Sequence, residues 1–353
     1  MTFNSGGKKI NQGYKGMVID MYNPDKNDEI TLYRDLKKAN PSKITLLTET
    51  ENIEVDKKDK IKILDLIKQS KNILVKKFIY VSFLFGTKEK NFNNELIAYK
   101  RLMKIFKKDI SNHTTIKKGF KYKGKSIYGL IFEDNYYIFL EKCYKTLENI
   151  KFTQETYNKL IKEIMETLNI LNKFNYIHND LKPDNIILCK NRFKIIDWES
   201  SNEIKDQSHS FVNSKNGNLV FNHPIKFYNV NVPFFMYKYI YKFEIMSYKY
   251  LEDLKYPKII LKLFTDSFNK VVKDNAEYYK IKADDIETSS LDNPHITSTS
   301  QKNIKKNKYF YLKNADYYSF AITSLFIAEK NKLIFPTKII NEILKPFHMH
   351  ITL

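Results

Sequence analysis

The sequence is poor in cysteine: Cys143 and Cys189 are the only two among 353 residues, and each sits inside an apolar run. Two such residues indicate no disulfide framework, and no metal-ligand spacing appears. A reducing, intracellular and cytoplasmic setting is the expectation. The first residues, MTFNSGGKKI, lack the apolar region of a secretory signal. Long apolar runs are also missing. The longest, Tyr317 to Ala328, is too short for a membrane-spanning helix, so no membrane span is expected. Acidic side chains are in deficit, with 40 Asp and Glu against 60 Lys and Arg, a net charge of +20. That excess favours acidic partners such as nucleic acid, anionic membrane or phosphorylated substrates, without choosing among them. The lysines are spread along the chain, so a solvated basic surface accounts for the charge as well, and nucleic-acid binding rests on net charge alone.

What is present is sufficient for a large core: 42% hydrophobic and 14% aromatic residues over a length that suits two compact units. Residues 8–20 read as strand, glycine turn, strand. Residues 21–70 alternate polar loops with short strand-like runs (ITLY, KITLLT). A helix is expected over 57–69, with Asp56 as N-cap and Ile61, Leu64 and Ile67 on one face. Residues 73–83 read as a buried strand and 91–106 as a helix. Two strands fit 127–133 and 136–142, with Asp134-Asn135 as the turn. A helix over 154–174 carries Leu160, Ile161, Ile164, Leu168 and Leu171 on one face. The strands IILC and FKIID follow, joined at Lys190-Asn191. The Ser/Thr/Lys-rich stretch 283–307 reads as a loop or disordered insertion.

A histidine, two aspartates, a lysine and two asparagines fall within the octet His178-Asn179-Asp180-Leu181-Lys182-Pro183-Asp184-Asn185, with Asp197 twelve residues beyond Asn185. Other segments stand in a fixed order around it. Ile10-Asn11-Gln12-Gly13-Tyr14-Lys15-Gly16-Met17-Val18 is a glycine-containing turn between strands, and glycine lets backbone N–H groups approach a phosphate closely. Ile73-Leu74-Val75-Lys76 ends an apolar run in lysine, and Glu95 follows nineteen residues later in an expected helix. Leu140-Glu141-Lys142-Cys143 separates the strand-rich half from the helical half. Asp316-Tyr317-Tyr318-Ser319-Phe320-Ala321 opens a late helix.

Together these segments resemble a eukaryotic-type serine/threonine protein kinase from about residue 8 to 330. Composition, long insertions and Asn222-His223-Pro224 make the chain similar to the divergent predicted kinases of large, mimivirus-like DNA viruses, and so to a protein of host cytoplasm or virion. The resemblance implies an α+β, bilobal fold: a strand-rich N-lobe over 1–142 with an insertion at about 21–70, and a mainly helical C-lobe over 143–353 with an insertion at about 230–313. It implies ATP and Mg2+ as cofactors and a protein substrate. Asp180 would be the catalytic base and Lys182 would neutralise charge on the transferring phosphoryl group. Asn185 and Asp197 would bind the metal. Gly13, Gly16 and Val18 would lie against the nucleotide, and Lys76, paired with Glu95, would hold its phosphates. Glu141 and Cys143 would form the adenine hinge, Ile187 would line the pocket floor, and Asp316 would brace the catalytic loop. Lys43 and Lys77 are rivals for the role of Lys76.

The pattern is broken in places. Asn11 stands where the first glycine belongs. Asn179 replaces an arginine that in the family pairs with a phosphorylated activation loop. Asp197-Trp198-Glu199 replaces Asp-Phe-Gly. The Ala-Pro-Glu that ends the activation segment is missing, with Asn222-His223-Pro224-Ile225 in its region. His-Asn-Asp-Leu with Ile-Asp-Trp-Glu also resembles small-molecule phosphotransferases acting on choline or aminoglycosides. Lys182 and the Asp316 motif favour the protein-kinase side. A catalytically impaired scaffold is the remaining alternative.

Overall fold

A computed structural model describes residues 9–12, 16–20, 31–39, 41–69, 73–78, 87–143, 145–147, 150–204 and 298–344. Gly13, the Asn222-His223-Pro224-Ile225 stretch and residues 230–297 lie outside these. The chain divides into two compact units. The first comprises residues 1–145 and 187–199, and the second residues 146–186 and 200–353.

The first unit begins with strands β1 (Lys9–Gln12) and β2 (Gly16–Asp20). Helix α1 (Thr31–Lys38), β3 (Lys43–Leu47), β4 (Asn52–Asp56) and α2 (Lys60–Gln69) follow. Next come β5 (Ile73–Phe78), α3 (Lys88–Phe106) and the short α4 (Ile110–His113). A small hairpin, β6 (Phe120–Tyr122) and β7 (Lys125–Ile127), precedes β8 (Gly129–Phe132) and β9 (Asn135–Glu141). Seven of these strands form one sheet in the order β1-β2-β5-β9-β8-β3-β4. The segment between β2 and β5 thus adds two strands to one edge of the sheet and two helices to one of its faces.

Side chains alternate across a strand, and β5 shows what each face receives. Ile73 and Val75 join a core built from Leu32 and Leu36 of α1, Ile63, Leu64 and Ile67 of α2, and Leu130, Phe132, Tyr137 and Phe139 of the sheet. Phe78 points the other way, where Phe92 of α3 meets it edge-on at 5.4 Å and Tyr136 at 5.0 Å from Phe92. Helix α3 starts cleanly because Thr87 accepts a hydrogen bond from the Lys90 amide, a side-chain N-cap.

Several sequence expectations are corrected here. Of the run ITLY, the described residues from Thr31 are helical and not a strand: Thr31–Lys38 is a helix, and Leu32 and Leu36, one helical turn apart, are buried on α2 and the sheet. Tertiary burial overrides the β preference of that run. The helix after Asp56 opens with a 3-10 turn over Lys57–Asp59, and Asp56 makes no side-chain cap bond. The inward face is Ile63, Leu64 and Ile67, while Ile61 is 72% exposed. The hairpin turn between β8 and β9 is Glu133-Asp134, because Asn135 pairs with Phe132.

In chain order, β10 (Lys145–Thr146) leads to α5 (Gln154–Lys173), capped at Thr153, and β11 (Tyr176–Ile177). The chain then returns to the first unit as β12 (Ile186–Cys189) and β13 (Arg192–Ile195), turning at Lys190, whose φ is 57°. The second unit resumes with β14 (Asn202–Glu203), α6 (Ser298–Asn331) and α7 (Thr337–Leu344). Leu160, Ile161, Ile164, Leu168 and Leu171 of α5 are buried, as are Ala315, Tyr318, Ala321, Ile322 and Leu325 of α6. Tyr157 donates to the Ser324 carbonyl at 3.0 Å, and the Asn172 amide to the Lys313 carbonyl at 3.0 Å. Residues 298–307, expected as loop, are the first turns of α6. Extending a helix already anchored by an apolar stretch is easier than nucleating one.

Cys143 and Cys189 are joined by a disulfide. That overturns the reading of them as unbridged: β12 lays Cys189 beside the end of β9, a proximity absent from their positions in sequence.

Candidate active site

In the first unit the site grows from β5. Lys76 is the register partner of Val18 on β2 and of Ile138 on β9, so strands flank it on both sides. It shares the parity of Phe78 and faces α3. Its ammonium lies 2.6 Å from Glu95 Oε2 and 2.8 Å from Asp197 Oδ1. Glu95 is fully buried on α3, and Tyr99, one turn later, donates its hydroxyl to Glu95 Oε1. Burial pulls the Lys76 pKa down, but Asp197, Glu95 and Glu199 outweigh it and raise it, so Lys76 stays an ammonium. Burial raises the Glu95 carboxyl, against the pull of Lys76. Burial and the Glu95 charge hold the Tyr99 phenol protonated, which keeps it a donor.

The rival lysines are placed elsewhere. Lys77, the next residue on β5, points to the other face and meets Asp35 of α1 at 2.7 Å. Lys43 pairs with Glu54 at the surface, at 2.8 Å with both side chains 64% exposed.

Asp197 follows β13 with φ of 65°, a left-handed conformation that aspartate tolerates better than most side chains. Trp198 is core: it is 1% exposed and its indole N–H bonds to the Ile195 carbonyl at 3.0 Å. Carboxylate oxygens of Glu95, Asp197 and Glu199 lie within 4.8 Å of one another. Glu199 therefore brings a third carboxylate to the place where the resembled family has glycine. This all-oxygen donor set has the chemistry that a hard divalent cation requires.

At the end of β9, Glu141 accepts from Lys194 and from Lys190, the latter at 2.9 Å. Burial pushes the Glu141 carboxyl up, but the two ammoniums outweigh it and hold it below its usual value. The Glu141 amide is committed to the Thr115 carbonyl at 2.6 Å. Ile187 packs with Cys143, Cys189 and Ile196. Gly16 pairs with Phe78 across β2 and β5.

In the second unit the polar octet forms a braced turn. Asn175, with φ of 50°, ends α5 and directs the chain into β11. Asp316 of α6 is 4% exposed, and its two carboxylate oxygens accept the backbone N–H groups of His178 at 2.5 Å and Asn179 at 2.9 Å. Asn179 has φ of 70° and donates its side-chain amide to the Ser200 carbonyl at 3.3 Å. Lys182 Nζ reaches Asp180 Oδ2 at 3.0 Å. Asn185, in a 3-10 turn opened by Pro183, donates its amide to the Asp180 carbonyl at 2.7 Å and to Asp180 Oδ2 at 3.1 Å. With the amide nitrogen so used, the Asn185 side-chain oxygen is the atom suited to a cation.

Sequence reasoning missed Tyr99, Lys190 and Lys194. Tyr99 was legible as one helical turn after Glu95. Lys190 lies in the β12–β13 turn and Lys194 in β13, and only the fold brings them to Glu141. Among the described residues, no helix is long and apolar enough to cross a membrane.

Residues 60–224, just under half of the chain, match the family model described as "Protein kinase domain". A curated relative is similar over 71 residues at 39% identity: the dual specificity protein kinase zak2 of Dictyostelium discoideum. That alignment covers 20% of this chain and 11% of the relative. Among solved structures, a chain of the yeast RNA polymerase II CTD kinase CTDK-1 complex aligns with a TM-score of 0.31 at 15% identity, over 44% of this chain and 46% of that one. Lys76, Glu95, Glu141, residues 178–185 and Asp197 all fall within the family match. With a strand-rich sheet in the first unit and mainly helix in the second, the fold is α+β, and residues 60–224 carry the match to the protein kinase domain model.

Proposed function

We propose that the chain is an ATP-dependent protein kinase that transfers the γ-phosphoryl group of Mg-ATP to serine and threonine hydroxyls of a protein. The observation that carries this reading is Lys76, buried and ion-paired to both Glu95 and Asp197. A cation so held is a phosphate anchor fixed in one place, and phosphoryl transfer depends chiefly on positioning and charge. In this reading residues 1–142 hold the nucleotide as N-lobe and 143–353 hold the acceptor as C-lobe. Glu141 and Cys143 take the adenine, Gly13, Gly16, Val18 and Ile187 line its site, and Asn185 and Asp197 hold Mg2+. When bound, the metal neutralises charge on the phosphates.

Asp180 accepts the proton of the acceptor hydroxyl. The hydroxyl oxygen forms its bond to the γ-phosphorus as the bond to the β–γ bridging oxygen breaks, and ADP leaves. Lys182, 3.0 Å from Asp180, faces the charge of the transferring group. Asp316, by holding two successive N–H groups of the loop, keeps Asp180 in place. The lysine-rich and asparagine-rich composition supports a further reading, that this kinase is of the large-DNA-virus kind.

The test incubates purified protein with labelled ATP and Mg2+ and a panel of casein, histone, a basic protein, a tyrosine-containing peptide and choline. Label on serine or threonine of a protein supports the proposal. Label on tyrosine as well extends it towards the dual specificity named for the relative. Label on choline alone replaces it with a small-molecule phosphotransferase, and nucleotide binding without transfer replaces it with a scaffold.

A further inference from the structure

The disulfide occupies a particular place in the chain's path. The chain leaves the strand-rich unit after Lys145 and re-enters it at Ile187. Cys143 lies two residues before the exit and Cys189 two residues after the return. The bond between them ties departing chain to returning chain within one unit. The 46-residue separation it closes contains α5 and the whole polar octet. The two cysteines also pack with Ile187 and Ile196, so the same bond backs the wall assigned above to the nucleotide.

The surroundings suit thiol chemistry. A carboxylate oxygen of Glu141 lies within 4.8 Å of both sulfurs, and Lys190 and Lys194 both pair with that carboxylate. Two ammoniums against one carboxylate leave local positive charge, which favours thiolate over thiol. Cys143 is 7% exposed and Cys189 1%, so Cys143 is the less enclosed of two buried cysteines and the one assigned the first exchange step. The chain has no third cysteine to compete for exchange.

We propose that Cys143 and Cys189 form a reversible redox modification site, a dithiol–disulfide couple exchanged with a low-molecular-weight disulfide, whose oxidised form holds the nucleotide wall for tight binding. The effect on nucleotide rests on the kinase reading; the couple does not. Closure proceeds by attack of the Cys143 thiolate on a disulfide such as oxidised glutathione. A protein–glutathione bond forms and one glutathione thiolate leaves. The Cys189 thiolate then attacks the Cys143 sulfur and expels the second glutathione. The protein loses two electrons and two protons, and the glutathione disulfide gains them as two thiols.

Full-length protein is exposed to oxidised glutathione or to a phosphine reductant, then denatured, alkylated with iodoacetamide and weighed. The oxidised sample should take up no label and the reduced sample two, one on each cysteine. ADP affinity, read by calorimetry, should weaken by about tenfold on reduction and recover on reoxidation. The Cys143→Ser, Cys189→Ser double variant should bind ADP alike in both conditions. Two labels after oxidised glutathione, or equal ADP affinity in both states, overturns the proposal. If ADP binds neither state, the kinase reading is what fails. The couple is then judged by melting temperature: a fall on reduction that the double variant lacks supports it, and no fall overturns it.

Discussion

Lys76 and Lys77 are neighbours on one strand and make their ion pairs on opposite faces of the same sheet. Lys76 meets Glu95 and Asp197, whereas Lys77 meets Asp35 of α1. The two-residue repeat of a strand makes this unavoidable, and it separates two adjacent cations into different tasks. Replacing Lys76 with Met is expected to cut phosphoryl transfer by on the order of a hundredfold or more, since it removes the proposed phosphate anchor. Replacing Lys77 with Met should leave turnover near wild type and lower stability by about 0.5–1.5 kcal/mol, because Tyr137 still donates to Asp35. Initial rates and urea melts on the two variants check both statements.

Tyr99 is buried, and its hydroxyl is a neutral donor to the fully buried Glu95 carboxylate. Tyr99→Phe leaves Glu95 Oε1 without that donor in a place water does not reach. The expected cost is about 1–3 kcal/mol of stability. On the proposed kinase reading, in which Glu95 acts on the nucleotide through Lys76, the apparent KM for ATP should rise more than kcat falls. A kcat loss with unchanged KM would contradict this placement.

Asp316 satisfies two successive buried amides with one carboxylate. Asparagine at this position offers a single acceptor oxygen. Asp316→Asn should therefore take away one of the two charged acceptors of the loop N–H groups and destabilise the protein by about 1–3 kcal/mol, with a larger loss for alanine. Denaturant midpoints at constant m-value would measure it.

Glu141 has a carboxyl held below its ordinary value of 4.5 by Lys194 and Lys190. A folded-state pKa below the unfolded one contributes stability that is present above the unfolded value and lost as pH falls through the folded one. The stability difference between wild type and Glu141→Gln should be constant from neutral pH to about 5. It should shrink as pH falls below 4.5, the ordinary value. A difference that grew on acidification would contradict the pairing.

The Lys76–Glu95 pair and the bracing of the polar octet by Asp316 were legible because those residue types stand in the order and spacing of the resembled family's motifs. Helices α3 and α5 were legible because their apolar periodicity agrees with their burial. What sequence did not disclose depends on long-range packing. Thr31 to Tyr33 look like strand by local preference, yet Leu32 and Leu36 find their core on α2 and the sheet. Ile61, Leu64 and Ile67 recur at helical spacing, but the buried face of α2 is centred on Ile63, Leu64 and Ile67, and at 100° per residue Ile61 falls off its edge and is exposed. The Cys143–Cys189 bond needs β12 laid beside the end of β9, which no spacing rule supplies.

The central claim is that Asp180 takes a proton from a protein hydroxyl while the phosphoryl group moves. Transfer of label from ATP to protein by wild type and Asp180→Ala, beside ADP affinity for each, tests it most directly. The account predicts that the variant binds ADP within about threefold of wild type and transfers at least about a thousandfold more slowly. Wild-type transfer by Asp180→Ala would contradict it.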